Sequence, residues 1–246
     1  MPFQQSDVGQ GSDFEQILSR ILQEKLYEKK MNGVGFQDAM LLVFKEVLEF
    51  SDSIIQDFER DGKSPTVACK SGCSYCCHSL VHIIPIEALL IFQFISVNFT
   101  CSEINALRDV ISHTQLLTKG KTVAQIYTLK HELPCMFLKH GKCTIYAIRP
   151  SICRSWNSMD AKTCRVAYDS FDYKSSVNAS PVRNFILGTT RELFEQFSEA
   201  LLFQSKTLLL HNAVSDCLNS FDPLGLWAKG YRVFSYDKPI KFPAMF

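Results

Sequence analysis

The sequence predicts a mainly α protein: a single helical domain with an irregular, cysteine-rich metal-binding lobe built from two loop segments. Three observations carry this. Apolar residues recur at helical spacing through the first and last parts of the chain. The alternation of strand and helix that a parallel sheet requires is missing. Seven cysteines fall in two bunches, inside stretches with little apolar periodicity of their own.

The N-terminal stretch up to Gly11 is rich in Gly, Gln and Ser and reads as frayed. Ser12 or Asp13 caps a helix reaching about Lys30, with Phe14, Ile17, Leu18, Ile21, Leu22 and Leu26 near helical spacing. Asn32-Gly33 breaks it, and a second helix from Phe36 to Arg60 carries Met40, Val43, Phe44, Val47, Leu48, Ile54, Ile55 and Phe58 on one face. The two form a hairpin over residues 1–62 that covers the cysteine core at 66–157. Leu80 to Ile84 reads as extended chain, and Pro85 suits the first turn of a helix running to Asn98. Ser102 caps the next helix, Glu103 to about Leu117. Thr144-Ile145-Tyr146 is either a short strand or one helical turn. Ser180-Pro181 opens a helical region over 181–220, which Gly188 is expected to split and Phe221-Asp222-Pro223 to stop. From Gly230 onward the chain reads as extended and packed on the surface.

Composition excludes several classes. A formal charge of +1 gives no electrostatic case for nucleic acid or an anionic membrane surface. The most apolar run, Leu80 to Phe99, contains His82, Pro85, Glu87 and Gln93, too polar for a lipid-facing span. The first residues lack the basic and apolar regions of a secretory signal. A cytoplasmic location follows as the expectation, and in a reducing compartment clustered cysteines point to metal rather than to disulfide staples. The 19 phenylalanines read as core packing.

The chemistry sits in the cysteines. The first bunch is Cys69, Cys73, Cys76 and Cys77, in CKSGCSYCC; the second is Cys135, Cys143 and Cys153, in PCMFLKHGKCTIYAIRPSICRSW. Closely spaced thiolates in tight turns converge on one ion, and so many soft ligands select zinc, iron or an iron–sulfur cluster such as [4Fe–4S]. Cys73 and Cys76 form the natural chelating pair, and Cys69 supplies a third sulfur. Any of Cys135, Cys143 and Cys153 completes a tetrahedron, and seven or eight thiolates also allow two sites. Adjacent Cys76 and Cys77 are expected to point apart. Cys164 is the candidate eighth thiolate; Cys101 and Cys217 are expected to be buried free cysteines. Arg149 and Arg154 flank Cys153, either stabilising thiolates or bonding loop carbonyls. His78 and His140 are alternative ligands or plain surface residues, and Tyr146 and Trp156 are expected to shield the metal loops. No acid–base pair, phosphate loop or nucleophile elbow appears, so catalysis is left open.

These two motifs, in this order, resemble the CxxCxxCC (YkgJ-like) cysteine-cluster family, described as zinc- or iron-chelating. The matching positions are Cys69, Cys73, Cys76, Cys77, Pro134, Cys135, Phe137, Leu138, Cys143, Ile145, Tyr146, Arg149, Pro150, Cys153 and Arg154. The resemblance spans Cys69 to Trp156, roughly a third of the chain. It departs from the family name in having three residues, not two, between Cys69 and Cys73. That spacing also resembles the radical S-adenosylmethionine signature, in which three cysteines hold a [4Fe–4S] cluster. The related flagellin lysine N-methylases share a cluster of this general type, which implies methyl transfer to protein lysine as an enzymatic alternative. Three function classes follow: a metal-binding protein with a structural or metal-handling role, an iron–sulfur redox or group-transfer enzyme, and a zinc-stapled protein-interaction module.

Overall fold

The computed structural model describes residues 11–171 and 177–235. Among them are ten α-helices, linked by short turns and two minimal strand pairs, so the protein is mainly α. No described helix is long and apolar enough to cross a membrane.

The first helix, α1 (Gly11–Met31), buries Phe14, Leu18 and Leu22 at four-residue intervals. The second, α2 (Phe36–Arg60), buries Met40, Val43, Phe44, Val47, Leu48, Ile54, Ile55 and Phe58, a stripe at three- and four-residue steps. Ser51 lies within that stripe. Its hydroxyl bonds the Val47 carbonyl and the Thr190 hydroxyl at 2.9 and 2.8 Å, so the buried oxygen is satisfied. The hairpin of α1 and α2 packs on α8 (Pro181–Ala200), where Phe44 meets Phe194 edge-on at 4.6 Å.

Helix α8 is the hinge of the architecture. One side receives the hairpin; the other packs on α6 (Ser151–Ser155), which carries Cys153. The hairpin reaches the cysteine segments through α8, and the ion pair of Asp52 and Arg154 links the two directly. A second layer is formed by α3 (Pro85–Asn98), α4 (Cys101–Thr118) and α9 (Leu210–Asn219). Strand β1 (His82–Ile83) pairs antiparallel with β4 (Leu208–Leu209), stitching this layer together.

Several boundaries differ from expectation for identifiable reasons. Thr100, not Ser102, caps α4: its hydroxyl accepts from the Glu103 amide while Glu103 accepts from the Thr100 amide, a reciprocal capping box. Gly188 does not split α8, which runs unbroken to Ala200 and buries Ile186, Leu187, Thr190, Leu193 and Phe194. The break falls at residues 201–207 instead, where Leu202 adopts φ 60°. Asp222-Pro223 ends one helix and starts another, α10 (Pro223–Ala228), whose Trp227 is fully buried. Two more short helices, α5 (Val123–Thr128) and α7 (Ala161–Asp169), have no counterpart in the sequence reading. Beyond Gly230 the chain is not simply surface-laid: Phe234 is fully buried, and the last expected stretch, 236–246, lies outside the described residues.

Candidate metal centre

The first cysteine segment is shaped by turns. Gly72 takes φ 88°, and the Cys73 amide donates to the Lys70 carbonyl at 3.0 Å. One turn of 3-10 helix, Tyr75–His78, then carries Cys76 and Cys77. Their thiols were expected to point apart; both line the same cleft, and the neighbouring Cys77 thiol raises the pKa of Cys76.

The second segment docks directly on the first. The Cys135 amide donates to the Cys77 carbonyl at 2.6 Å. After Phe137, which is fully buried, the chain makes a minimal hairpin of β2 (Leu138–Lys139) and β3 (Lys142–Cys143). Its two turn residues, His140 and Gly141, have φ of 52° and 73°, the left-handed pair a type I′ turn demands. A Cβ on Gly141 would stand 3.9 Å from the Gly72 carbonyl, so the two cysteine loops touch here too. Tyr146–Ile148 forms a single 3-10 turn, the helical alternative for that stretch.

Cys153 is fixed by a buried carboxylate. Glu87, 2 % exposed in the first turn of α3, accepts from the Ile84 amide at 3.0 Å. Its other oxygen accepts from the Ser151 amide and hydroxyl at 2.7 and 2.6 Å, anchoring the start of α6. The two flanking arginines divide the roles foreseen for them. Arg154 is structural: it donates to the Arg149 and Ala147 carbonyls at 2.7 and 2.9 Å and pairs with Asp52. Arg149 lines the cleft. Its guanidinium lies 4.1 Å from the Tyr146 ring centroid, and its Nε is buried with no hydrogen-bond partner among the described residues.

Two adjoining clefts result. One is lined by six sulfurs, those of Cys73, Cys76, Cys77, Cys135, Cys143 and Cys153, together with Arg149, Trp156 and the loop glycines. The other is lined by Cys69, Cys73, Cys76 and Cys164 beside Tyr75, Tyr127, Lys130, Trp156 and Tyr168. Cys73, Cys76 and Trp156 border both. Cys69 lines only the second cleft, with Cys73, Cys76 and Cys164. All ten cysteines are free thiols, so the disulfide-scaffold alternative is absent. Cys217 is buried as expected, whereas Cys101 is exposed at the first position of α4. His140 sits exposed at the hairpin turn. His78 borders the second cleft, its Nδ1 3.3 Å from the Lys130 carbonyl. Tyr146 is 63 % exposed and serves as a platform for Arg149 rather than as a shield.

The electrostatics of the first cleft oppose thiolate formation. Burial raises the thiol pKa values of Cys73, Cys143 and Cys153, and pushes Cys135 up to about 12. At Cys76 the neighbouring Cys77 thiol is the first cause of an upward shift and burial the second. Arg149 acts in the opposite direction on Cys76, Cys143 and Cys153. Sulfur donors that pay a penalty for negative charge, in a cleft shared with an arginine whose buried N–H lacks an acceptor among the described residues, fit a thiophilic cation: a bound ion would stabilise the thiolates, and a thiolate would be an acceptor for Arg149. As they stand, no three described His, Cys, Asp or Glu side chains meet closely enough to hold one ion. Binding therefore entails drawing the sulfurs inward.

The fold and the cleft define a helical protein with a thiol-lined chelating lobe. Comparison adds a likeness: residues 68–171 match the model of the CxxCxxCC family, described as "Putative zinc- or iron-chelating domain". Comparison with the curated proteins and with the solved structures gives no match.

The match reaches past the sequence motifs to include Cys164 and Tyr168 on α7. Cys164 carried a signal as a late cysteine. Lys130 and Tyr168 carried none, since a single lysine and a single tyrosine on short helices form no pattern.

Proposed function

We propose that this protein binds zinc or iron through thiolates drawn from Cys73, Cys76 and Cys77 on one segment and Cys135, Cys143 and Cys153 on the other. The ion closes the lobe as a structural staple or is held for handling. The observation that carries the reading is the hydrogen bond from the Cys135 amide to the Cys77 carbonyl, which sets the two segments side by side. Cys69 belongs to the same reading through the shared residues: with Cys164 it joins Cys73 and Cys76 in the adjoining cleft, which favours two ions or a cluster over a lone tetrahedral ion. Coupling of metal to order is expected, because the loops have few apolar contacts of their own and a clip across a long loop removes much unfolded-state entropy.

The experiment is anaerobic purification of the full chain with metal and acid-labile sulfide analysis. Zinc without sulfide gives a colourless structural or handling site; iron with sulfide gives a brown protein and the redox or group-transfer alternative. Cys76→Ser and Cys135→Ser are each expected to lose metal and to lower the melting temperature, while Cys101→Ser keeps full metal content. Equal loading across the three variants would sink the ligand assignment.

A further inference from the structure

The second cleft has a chemistry of its own beyond its sulfurs. Tyr168, on α7, stands at its centre. His78 and His131 pack edge-on against that ring at 4.9 and 4.5 Å between centroids, and Tyr75 lies 5.4 Å away. Rings held this way form a preorganised wall, so a ligand meeting them pays little ordering entropy. Trp156 borders the cleft as well, and the space the cleft encloses is about 110 Å³.

Lys130 gives the cleft its charge. The residue is 4 % exposed, yet no described carboxylate pairs with it. Its ammonium donates to the Ala167 carbonyl at 2.8 Å and to the Ser170 carbonyl, and lies 4.1 Å from the Tyr127 ring centroid. An ammonium has three N–H groups, so one remains without a partner among the described residues. Burial draws the Lys130 pKa down, with the charge of Asp169 opposing. Among the described residues no Asp or Glu lines the cleft.

Aromatic boxes commonly recognise cations through their ring faces. Here an internal lysine already fills that role, so an incoming ligand is selected for the opposite charge. We propose that this cleft binds a flat aromatic anion, its ring against Tyr75, Tyr168 and Trp156 and its charged end on the open N–H of Lys130. The proposal goes beyond the metal reading, because the groups that hold the ligand are not thiols.

The test is calorimetric titration of the full chain with 2-naphthoate, its neutral counterpart 2-naphthylmethanol and the non-aromatic anion hexanoate, each with and without bound zinc. Saturable one-site binding of 2-naphthoate is expected, with both comparison compounds weaker by about tenfold or more, the value of one charge-assisted hydrogen bond or one ring stack. Lys130→Met should bring 2-naphthoate and the alcohol to similar affinity. Tyr168→Ala should weaken 2-naphthoate while leaving hexanoate unchanged. Equal affinity of the unaltered protein for naphthoate and the alcohol, or no saturable binding, overturns the proposal even where a variant fails to fold. A chain that takes no metal yet binds 2-naphthoate selectively would sink the metal reading alone, and one that takes zinc but does not distinguish the three compounds would sink this proposal alone.

Discussion

Arg149 would serve the proposed metal site without touching the metal. Tyr146 packs against its guanidinium, Arg149 lines the sulfur cleft, and its buried Nε has no hydrogen-bond partner among the described residues. Free arginine on a surface gains little from a neighbouring charge, but a desolvated N–H beside a forming thiolate gains a good deal. Arg149→Met is therefore expected to weaken metal binding by about 10- to 100-fold, and Arg149→Lys to recover part of that. Competition against a chromophoric chelator would measure it, and unchanged affinity in the methionine variant would remove this role. Proton release gives a second residue-level check. The thiols are held protonated by burial and by one another, so each coordinated sulfur must give up its proton. Metal affinity is expected to rise with pH, and weakly buffered dye should report about one proton per coordinated thiol. At this scale the sequence was most informative: cysteine spacing singled out seven side chains, and six of them line one cleft. Spacing could not assign partners, because the tight turn of Tyr75–His78 and the placement of Cys69 in the second cleft with Cys164 are set by backbone geometry that a motif does not encode.

At the level of elements, strong periodicity was legible and weak periodicity was not. The stripe on α2 marked that helix to its ends, since a long apolar face must be buried somewhere. The six-residue α5 and nine-residue α7 are held by caps at Thr122 and Asp160 and by tertiary contacts, so no window of apolar residues announces them. Gly188 misled for the converse reason. Glycine costs a helix about 1 kcal/mol, but α8 recovers far more through its buried face. A Cβ at Gly188 would meet nothing within 4 Å, and its φ is not positive. Gly188→Ala is thus expected to raise stability by about 0.5–1 kcal/mol in urea unfolding, with the slope unchanged. A loss of stability would mean that α8 bends at this residue.

For the whole molecule, the telling feature is a buried histidine, His211, beside a half-buried one, His82. His82 on β1 and His211 on α9 both have pKa values lowered to about 4, from an ordinary 6.5, chiefly by burial. Arg191 adds to the shift at His82, and His82 to that at His211. Between those limits the unfolded chain binds protons that the fold refuses. The stabilising contribution is complete above about pH 6.5 and is lost as pH falls toward about 4. Melting of the metal-free protein should follow that course, and His211→Gln should flatten it; an identical slope in the variant would assign acid sensitivity elsewhere. Working on the metal-free chain separates this from proton competition at sulfur.

The bond between Cys135 and Cys77 also has a consequence in time. A ribosome delivers the early thiols first, and their partners emerge only several seconds later at ordinary rates of elongation. Through that interval the nascent chain displays four reactive sulfurs at Cys69, Cys73, Cys76 and Cys77 that nothing downstream can yet enclose. Oxidants and stray metal ions have their best access during synthesis, before the finished protein exists.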